Sequence, residues 1–162
     1  MVAKGFAPHV LVMSATPIPR TLALSIHGDM DLSVLDEKPP GRQPIKTATM
    51  PTSRISEVIE GIGDAAKRGE RAYWVCPLIE ESEAVDLPAV LDRHAELQAY
   101  FGKGVEIVHG KMSGAAREAA MDRFRSGESF LMVATTVIEV GVNVPEATIM
   151  VIEQAERFGL AQ

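Results

Sequence analysis

The stretch "FLMVATTVIEVGVNVPEATIMVI", Phe130 to Ile152, decides the fold class of this protein. It holds two short apolar runs, Phe130–Ala134 and Thr148–Ile152, which have the composition of buried strands in a parallel sheet. Polar and turn-forming residues follow the first run: Thr135, Thr136, Glu139, Gly141, Asn143 and Pro145. Because an open α/β sheet binds ligands just beyond the carboxyl ends of its strands, this segment is also the first candidate site.

Outward from this stretch, strand-like and helix-like segments alternate along the chain. Two helical patterns run from a capping serine to a glycine, Ser53 to Gly69 and Ser113 to Gly127, and a third begins near Leu87. Five strands are predicted between Ile45 and Ile152, and the three not yet named are Ile45–Thr49, Ala72–Cys76 and Val105–Val108. This alternation predicts an α/β fold whose mostly parallel sheet is covered by helices on both faces.

A separate strand-helix segment precedes this regular region. The apolar run Val10–Met13 is strand-like, and Thr16 before Pro17 is typical of a helix start. Residues 30–44 contain three prolines and a glycine, which indicates a linker. We therefore expect a segment at 1–29, a linker at 30–44 and the main domain at 45–162.

The composition limits the classes of protein to which the chain can belong. A net charge of −6 argues against a general nucleic-acid binder, so any DNA contact must come from a few local groups. The single cysteine, Cys76, cannot form an internal disulfide, and the four histidines lack metal-ligand spacing, so no metal site is predicted. No apolar run is long enough to span a bilayer, and the N-terminus lacks the core of a signal peptide, so a cytoplasmic protein is expected.

Three loops that follow predicted strands carry hydroxyl, lysine or amide groups: "MSATPIPRT", "VHGKMS" and "ATTVIEVGVNVP". In the second, Lys111 lies beside a helix start at Ser113, where free N–H groups favour an anion. Each loop alone fits an ordinary strand-to-helix connection. Their expected convergence on one edge of a sheet, or of two facing sheets, favours a binding function.

Several longer motifs in chain order resemble those of RecG-type DNA helicases, superfamily 2 motors that remodel branched DNA such as stalled replication forks. The motifs are "VLVMSATPIPRTLA", "AYWVCPLIEESE", "VHGKM", "LMVATTVIEVGVNVPEATIMVIE" and "ERFGLAQ". The transcription-repair coupling factor is similar at "ATPIPRTL" and "FGLAQ", whereas "AYWVCPLIEESE" favours the RecG type.

The resemblance implies a motor of two RecA-like domains, with ATP and Mg²⁺ between them and DNA across the top. It assigns three groups of residues. Coupling of ATP hydrolysis to DNA movement falls to Ser14, Ala15 and Thr16. Contact with DNA falls to His109, Gly110, Lys111, Thr135 and Thr136. The nucleotide cleft is faced by Glu139, Gly141 and Asn143.

Other parts of such a motor are missing from this sequence. It contains no G-x-x-x-x-G-K-S/T phosphate loop and no acidic Mg²⁺-binding box before Ser14, and it stops before the expected arginine-rich motif. We therefore expect a fragment, with 1–29 as an orphaned tail of the first motor domain and 45–162 as most of the second. It should lack a complete catalytic set, bind no ATP or Mg²⁺ alone and be inactive in isolation.

The sequence also implies partners. These are branched or forked DNA, the first motor domain of the same protein, and another copy of the chain through residues 1–29, whose apolar strand would otherwise lack a ladder. Two rival hypotheses remain open, a catalytically silent module that binds DNA or protein, and an unrelated α/β enzyme that uses the same sheet edge.

Overall fold

A computed structural model describes residues 11, 13, 33–37, 44–77, 83–135 and 144–157, and the side chains of 83–86 are not described. The chain divides into two units, Met1–Thr47 with Ala161, and Ala48–Leu160 with Gln162. The described residues of the first unit are all exposed. The sheet and its helices lie in the second unit.

Strands and helices alternate in the second unit as the sequence predicts. A short 3-10 turn, Thr52–Arg54, leads into the first helix, and a second, Ala155–Arg157, follows the last strand. The elements between them are α1 (Ile55–Lys67), β1 (Arg71–Val75), α2 (Glu83–Phe101), β2 (Val105–Val108), α3 (Gly114–Ser126), β3 (Leu131–Ala134) and β4 (Ala147–Ile152).

The four described strands form one parallel sheet in the order β2-β3-β1-β4. In its register Tyr73 lies between Met132 of β3 and Met150 of β4. Helix α2 joins β1 to β2 and α3 joins β2 to β3, and the described helices pack on both faces of the sheet. The predicted α/β fold, a parallel sheet with helices on both faces, is therefore confirmed.

One face of the sheet packs against α1 and α2. Trp74 and Val133 point to this side, where Ile62 of α1 and Leu97 of α2 cover them. All four side chains are buried. Helix α1 presents Ile55, Val58, Ile59 and Ile62 at helical spacing, as the sequence pattern indicates.

The opposite face packs against α3. Phe124 is fully buried against Tyr73, with ring centroids 4.9 Å apart, and Met121 and Met132 complete the contact. Ser113 caps α3 by accepting a hydrogen bond from the N–H of Ala116. Gly127, with φ of 82°, ends the helix as predicted.

One predicted strand and two predicted helix starts are wrong. Residues 45–49 form no strand, because the only large apolar side chain, Ile45, is 75% exposed and gains no burial from pairing. Ser53 lies inside the 3-10 turn and caps nothing, so α1 begins at Ile55 after Arg54. Helix α2 begins at Glu83 rather than near Leu87.

Within the described ranges, none of the helices combines the length and the apolar character needed to cross a membrane.

Candidate functional site

The carboxyl edge of the sheet gathers one residue from the end of each strand. Main-chain hydrogen bonds that continue the ladders fix their order. Thr135 N–H donates to Val108 O at 3.4 Å, Cys76 N–H to Ala134 O at 2.8 Å and Glu153 N–H to Val75 O at 2.9 Å. The residues that leave the strands therefore lie in the order His109, Thr135, Cys76 and Glu153 along the edge.

The loop from β2 to α3 forms a tight turn at this edge. Met112 N–H donates to the carbonyl oxygen of His109 at 3.2 Å, which places Gly110 and Lys111 at the exposed tip. Ser113 then starts α3, so the loop and the helix N-terminus form one continuous surface. The free N–H groups of a helix start and a lysine beside them provide a favourable environment for a phosphate.

His109 lies in a positively charged part of this loop. Burial lowers the pKa of its imidazole, and the charges of Lys111 and Arg117 lower it further. Its Nδ1 and the Nε of Arg117 are both buried, and neither has a hydrogen-bond partner among the described residues. Lys111 and Arg117 are therefore the positive charges near this loop, and they disfavour protonation of His109.

Sequence reasoning missed Arg117. The spacing could have indicated it, because Arg117 lies four residues after Ser113 and residues four apart share one face of a helix. In the structure the Arg117 main-chain N–H donates to Ser113 O at 3.0 Å. The structure thus adds one basic side chain to the predicted group of His109, Gly110 and Lys111.

Thr135 lies next to this loop but inside the protein. It is only 4% exposed, and its main-chain N–H is used by the bond to Val108. The structure therefore brings Thr135 and the His109–Lys111 loop together. The other predicted site residues lie outside the described residues: Ser14, Ala15, Thr16, Thr136, Glu139, Gly141 and Asn143.

The other end of the same edge carries a cluster that the sequence did not indicate. The carboxylate of Glu153, directly after β4, accepts hydrogen bonds from Trp74 of β1 and Arg93 of α2. A buried indole N–H requires an acceptor, so the single tryptophan in a predicted strand was a usable clue. Its partner, 79 positions further along the chain, could not be read from the sequence.

In the described portion of the chain, no group of three or more His, Cys, Asp or Glu side chains could hold a metal ion.

Comparison with protein families assigns the class. Residues 53–161, well over half of the chain, match the model described as "Helicase conserved C-terminal domain". The chain belongs to this family.

Particular relatives confirm the resemblance to RecG. The chain is 52% identical to "ATP-dependent DNA helicase RecG" of Acidithiobacillus ferridurans, covering 100% of this chain and 24% of that protein. It is 50% identical to the protein of the same name from Escherichia coli strain K12, covering 98% of this chain and 23% of that protein. This chain therefore spans about a quarter of the length of these relatives.

A solved structure, "Structure of RecG bound to three-way DNA junction", is also similar. It is 42% identical in sequence with a TM-score of 0.73, and the match covers 92% of this chain and 19% of that one. The similarity therefore extends to the three-dimensional fold over nearly all of this chain.

Proposed function

We propose that this chain serves as the second motor domain of an ATP-dependent DNA helicase that acts on branched or forked DNA. The observation that carries the proposal is the Thr135–Val108 hydrogen bond, which puts the end of β3 beside the His109–Lys111 loop. Near 50% identity to RecG proteins along the whole chain supports the same assignment.

The exposed loop would contact the DNA backbone. Lys111 and the N–H groups at the start of α3 would hold a phosphate, with the charge of Arg117 behind them. Such contacts carry no base information, which suits a motor that moves along DNA of any sequence. Thr135 and Thr136, which follow the adjacent strand, would lie near the DNA phosphates, as the resemblance implies.

ATP would be held between this domain and a first motor domain. On this chain, Glu139, Gly141 and Asn143 would face the nucleotide, and Ser14, Ala15 and Thr16 would couple its state to DNA movement. The sequence contains no phosphate loop, so the β- and γ-phosphates and Mg²⁺ would be held by the partner domain. ATP hydrolysis supplies the free energy for movement, while this chain's own residues bind and orient.

The proposed domain arrangement keeps 1–29 as a tail of the first motor domain, 30–44 as linker and 45–162 as the second domain. The division of the chain between Thr47 and Ala48 supports a boundary in this region. A net charge of −6 opposes DNA binding by the chain alone, so most of the affinity would come from other parts of the motor. Such a protein would work in the cytoplasm.

A chimera tests this function. This chain replaces the matching segment of the Escherichia coli RecG relative, and ATP hydrolysis and unwinding of forked DNA are measured. The proposal predicts DNA-stimulated ATP hydrolysis and unwinding within about tenfold of the parent, since each 1.4 kcal/mol of barrier costs a factor of ten. The isolated chain should hydrolyse no ATP above background. A folded chimera without DNA-stimulated activity would contradict the proposal, as would clear turnover by the isolated chain.

A further inference from the structure

Glu153 is the centre of a hydrogen-bonded cluster at the β4 end of the carboxyl edge. Its Oε2 accepts from Trp74 Nε1 at 2.9 Å and from Arg93 Nε at 3.0 Å, and its Oε1 accepts from Arg93 Nη2. The thiol of Cys76 also points to Oε2, at 3.8 Å. The carboxylate is therefore held by two other elements, the carboxyl end of β1 and the middle of α2.

The geometry of this cluster is specific. The guanidinium of Arg93 donates to the Glu153 carboxylate through two nitrogens. It also lies over the Trp74 ring, 5.4 Å from the ring centroid. The side chains of Arg93 and Glu153 are 17% and 15% exposed, and Trp74 is fully buried. A partly buried, bidentate arginine–carboxylate ion pair is stronger and more directional than an exposed ion pair.

The chain turns sharply directly after Glu153. Gln154 has a φ of 49°, the left-handed region that non-glycine residues rarely adopt. Arg157 N–H then closes a short 3-10 turn on Gln154 O at 2.9 Å. Such a backbone conformation persists only where its surroundings hold it in place, and the Glu153 side chain is the adjoining anchor.

We propose that Glu153 is a positioning residue, anchored by Arg93 and Trp74, that fixes the course of residues 154–157 as the chain leaves β4 at the carboxyl edge. The inference rests on the proposed function in one respect, that this edge is where the motor meets its ligands. Loss of the anchor should release the turn while leaving the sheet intact, and it should slow turnover more than it weakens nucleotide binding.

A second ion pair of the same form provides a matched control. Arg123 of α3 donates to the carboxylate of Glu106 on β2, from Nε to Oε1 at 2.7 Å and from Nη2 to Oε2 at 2.8 Å. It joins a helix to a strand, as the Arg93–Glu153 pair does. It lies on β2, however, and β2 and β4 are the two outer strands of the described sheet. Glu106→Gln therefore removes a pair of the same geometry without touching the exit from β4, although its arginine is more exposed, at 40% against 17% for Arg93.

The first arm measures hydrogen exchange and Trp74 fluorescence on the isolated chain. In Glu153→Gln, the Arg157 amide should exchange at least about tenfold faster. In the variant, opening of the 3-10 turn no longer requires the Arg93–Glu153 ion pair to break. The Ala72 amide, which bonds Phe130 at the other end of β1, should exchange at an unchanged rate. The emission of Trp74, the only tryptophan, should also shift. In Glu106→Gln, neither the Arg157 amide nor the emission should change.

Arg93→Lys is the second variant, since it keeps the charge but loses the fork and the stacking on Trp74. It should give an intermediate rate at Arg157, and it keeps the test decisive if Glu153→Gln fails to fold. The proposal is overturned if exchange at Arg157 is unchanged in both variants. Equal acceleration at Arg157 and Ala72 would also overturn it, because the pair would then stabilise the domain as a whole.

The second arm uses the chimera described above. Glu153→Gln should lower kcat for DNA-stimulated ATP hydrolysis roughly tenfold with KM for ATP within about twofold, while Glu106→Gln should change neither. An inactive unsubstituted chimera would count against the proposed function only, because the exchange arm is independent of it. Faster exchange at Arg157 with unchanged kcat would overturn the role in turnover.

Discussion

Thr135 donates its main-chain N–H to the carbonyl oxygen of Val108 across 3.4 Å, and this bond joins the ends of β3 and β2. It places a residue of the segment after β3 beside the loop that carries Lys111. Thr135 and Lys111 are 24 positions apart in the sequence. Their proximity depends on the strand order, in which β3 lies between β2 and β1. A parallel sheet with this order thus assembles the site at one edge.

The exposed Lys111 should matter for DNA and not for folding. In the chimera, Lys111→Ala should lower DNA-stimulated ATP hydrolysis about five- to tenfold and reduce the slope of log affinity against log salt by about 1. Basal hydrolysis should stay within about twofold. Lys103→Ala is the control, because Lys103 is also exposed but precedes β2 at the amino-terminal edge. Equal losses in the two variants would contradict a specific role for the carboxyl edge.

Two glycines just before β2 allow the stability cost of backbone strain to be measured apart from the cost of steric overlap. Gly102 and Gly104 have φ of 77° and 88°, but a Cβ on Gly104 would meet the Phe130 ring at 2.9 Å, whereas one on Gly102 would meet nothing within 4 Å. Gly102→Ala should lower the free energy of unfolding by about 1 kcal/mol. Gly104→Ala should lower it by about 2–4 kcal/mol, because overpacking adds to the strain. Chemical denaturation of the isolated chain measures both, and equal losses would mean that Phe130 moves away freely.

Stability should fall in acid partly because Glu153 is protonated. Burial alone would raise the pKa of this carboxyl, but hydrogen bonds from Arg93 and Trp74 outweigh it and hold the pKa below its usual 4.5. The ion pair therefore stabilises the folded state fully above pH 4.5, and this contribution is lost as pH falls through the lowered pKa. Denaturation of the chain and of Glu153→Gln across this range should show a shallower acid dependence in the variant. Parallel curves would contradict the assignment.

The segment before residue 45 should be dispensable for the main domain. A chain that starts at Pro40 should have a free energy of unfolding close to that of the whole chain and should associate less, because an unpaired apolar strand promotes pairing between molecules. Light scattering and denaturation measure the two quantities. Loss of folding would show that residues 1–29 belong to the core of this domain.

Local patterns were sufficient to predict most of the fold. The apolar runs of β1 to β4, the Ser113 cap and the left-handed Gly127 follow from neighbouring residues, and each is present. The strand predicted at Ile45–Thr49 is absent because alternation alone cannot supply a partner strand or a core, and Ile45 remains exposed. Local signals indicate what a segment can form, whereas burial decides what it does form.

The site was predictable only where its residues are close in the sequence. His109, Gly110 and Lys111 form a contiguous loop before a capped helix, which is a readable pattern. The cluster of Trp74, Arg93 and Glu153 depends on contacts between residues 60 to 79 positions apart, so it became visible only with the fold. The roles of all the predicted site residues remain predictions, both for His109, Lys111 and Thr135 and for those outside the described ranges, such as Ser14 and Asn143.

Site-specific cross-linking in the chimera tests the central claim most directly. A photoreactive side chain placed at position 111, at the tip of the loop beside Thr135, should cross-link to forked DNA. The same group at position 103, on the opposite edge of the sheet, should not. Cross-linking at 111 that is lost at high salt is the predicted result, since the contact is to phosphate. A chimera that still unwinds DNA but cross-links at 103, or at neither position, would contradict the account.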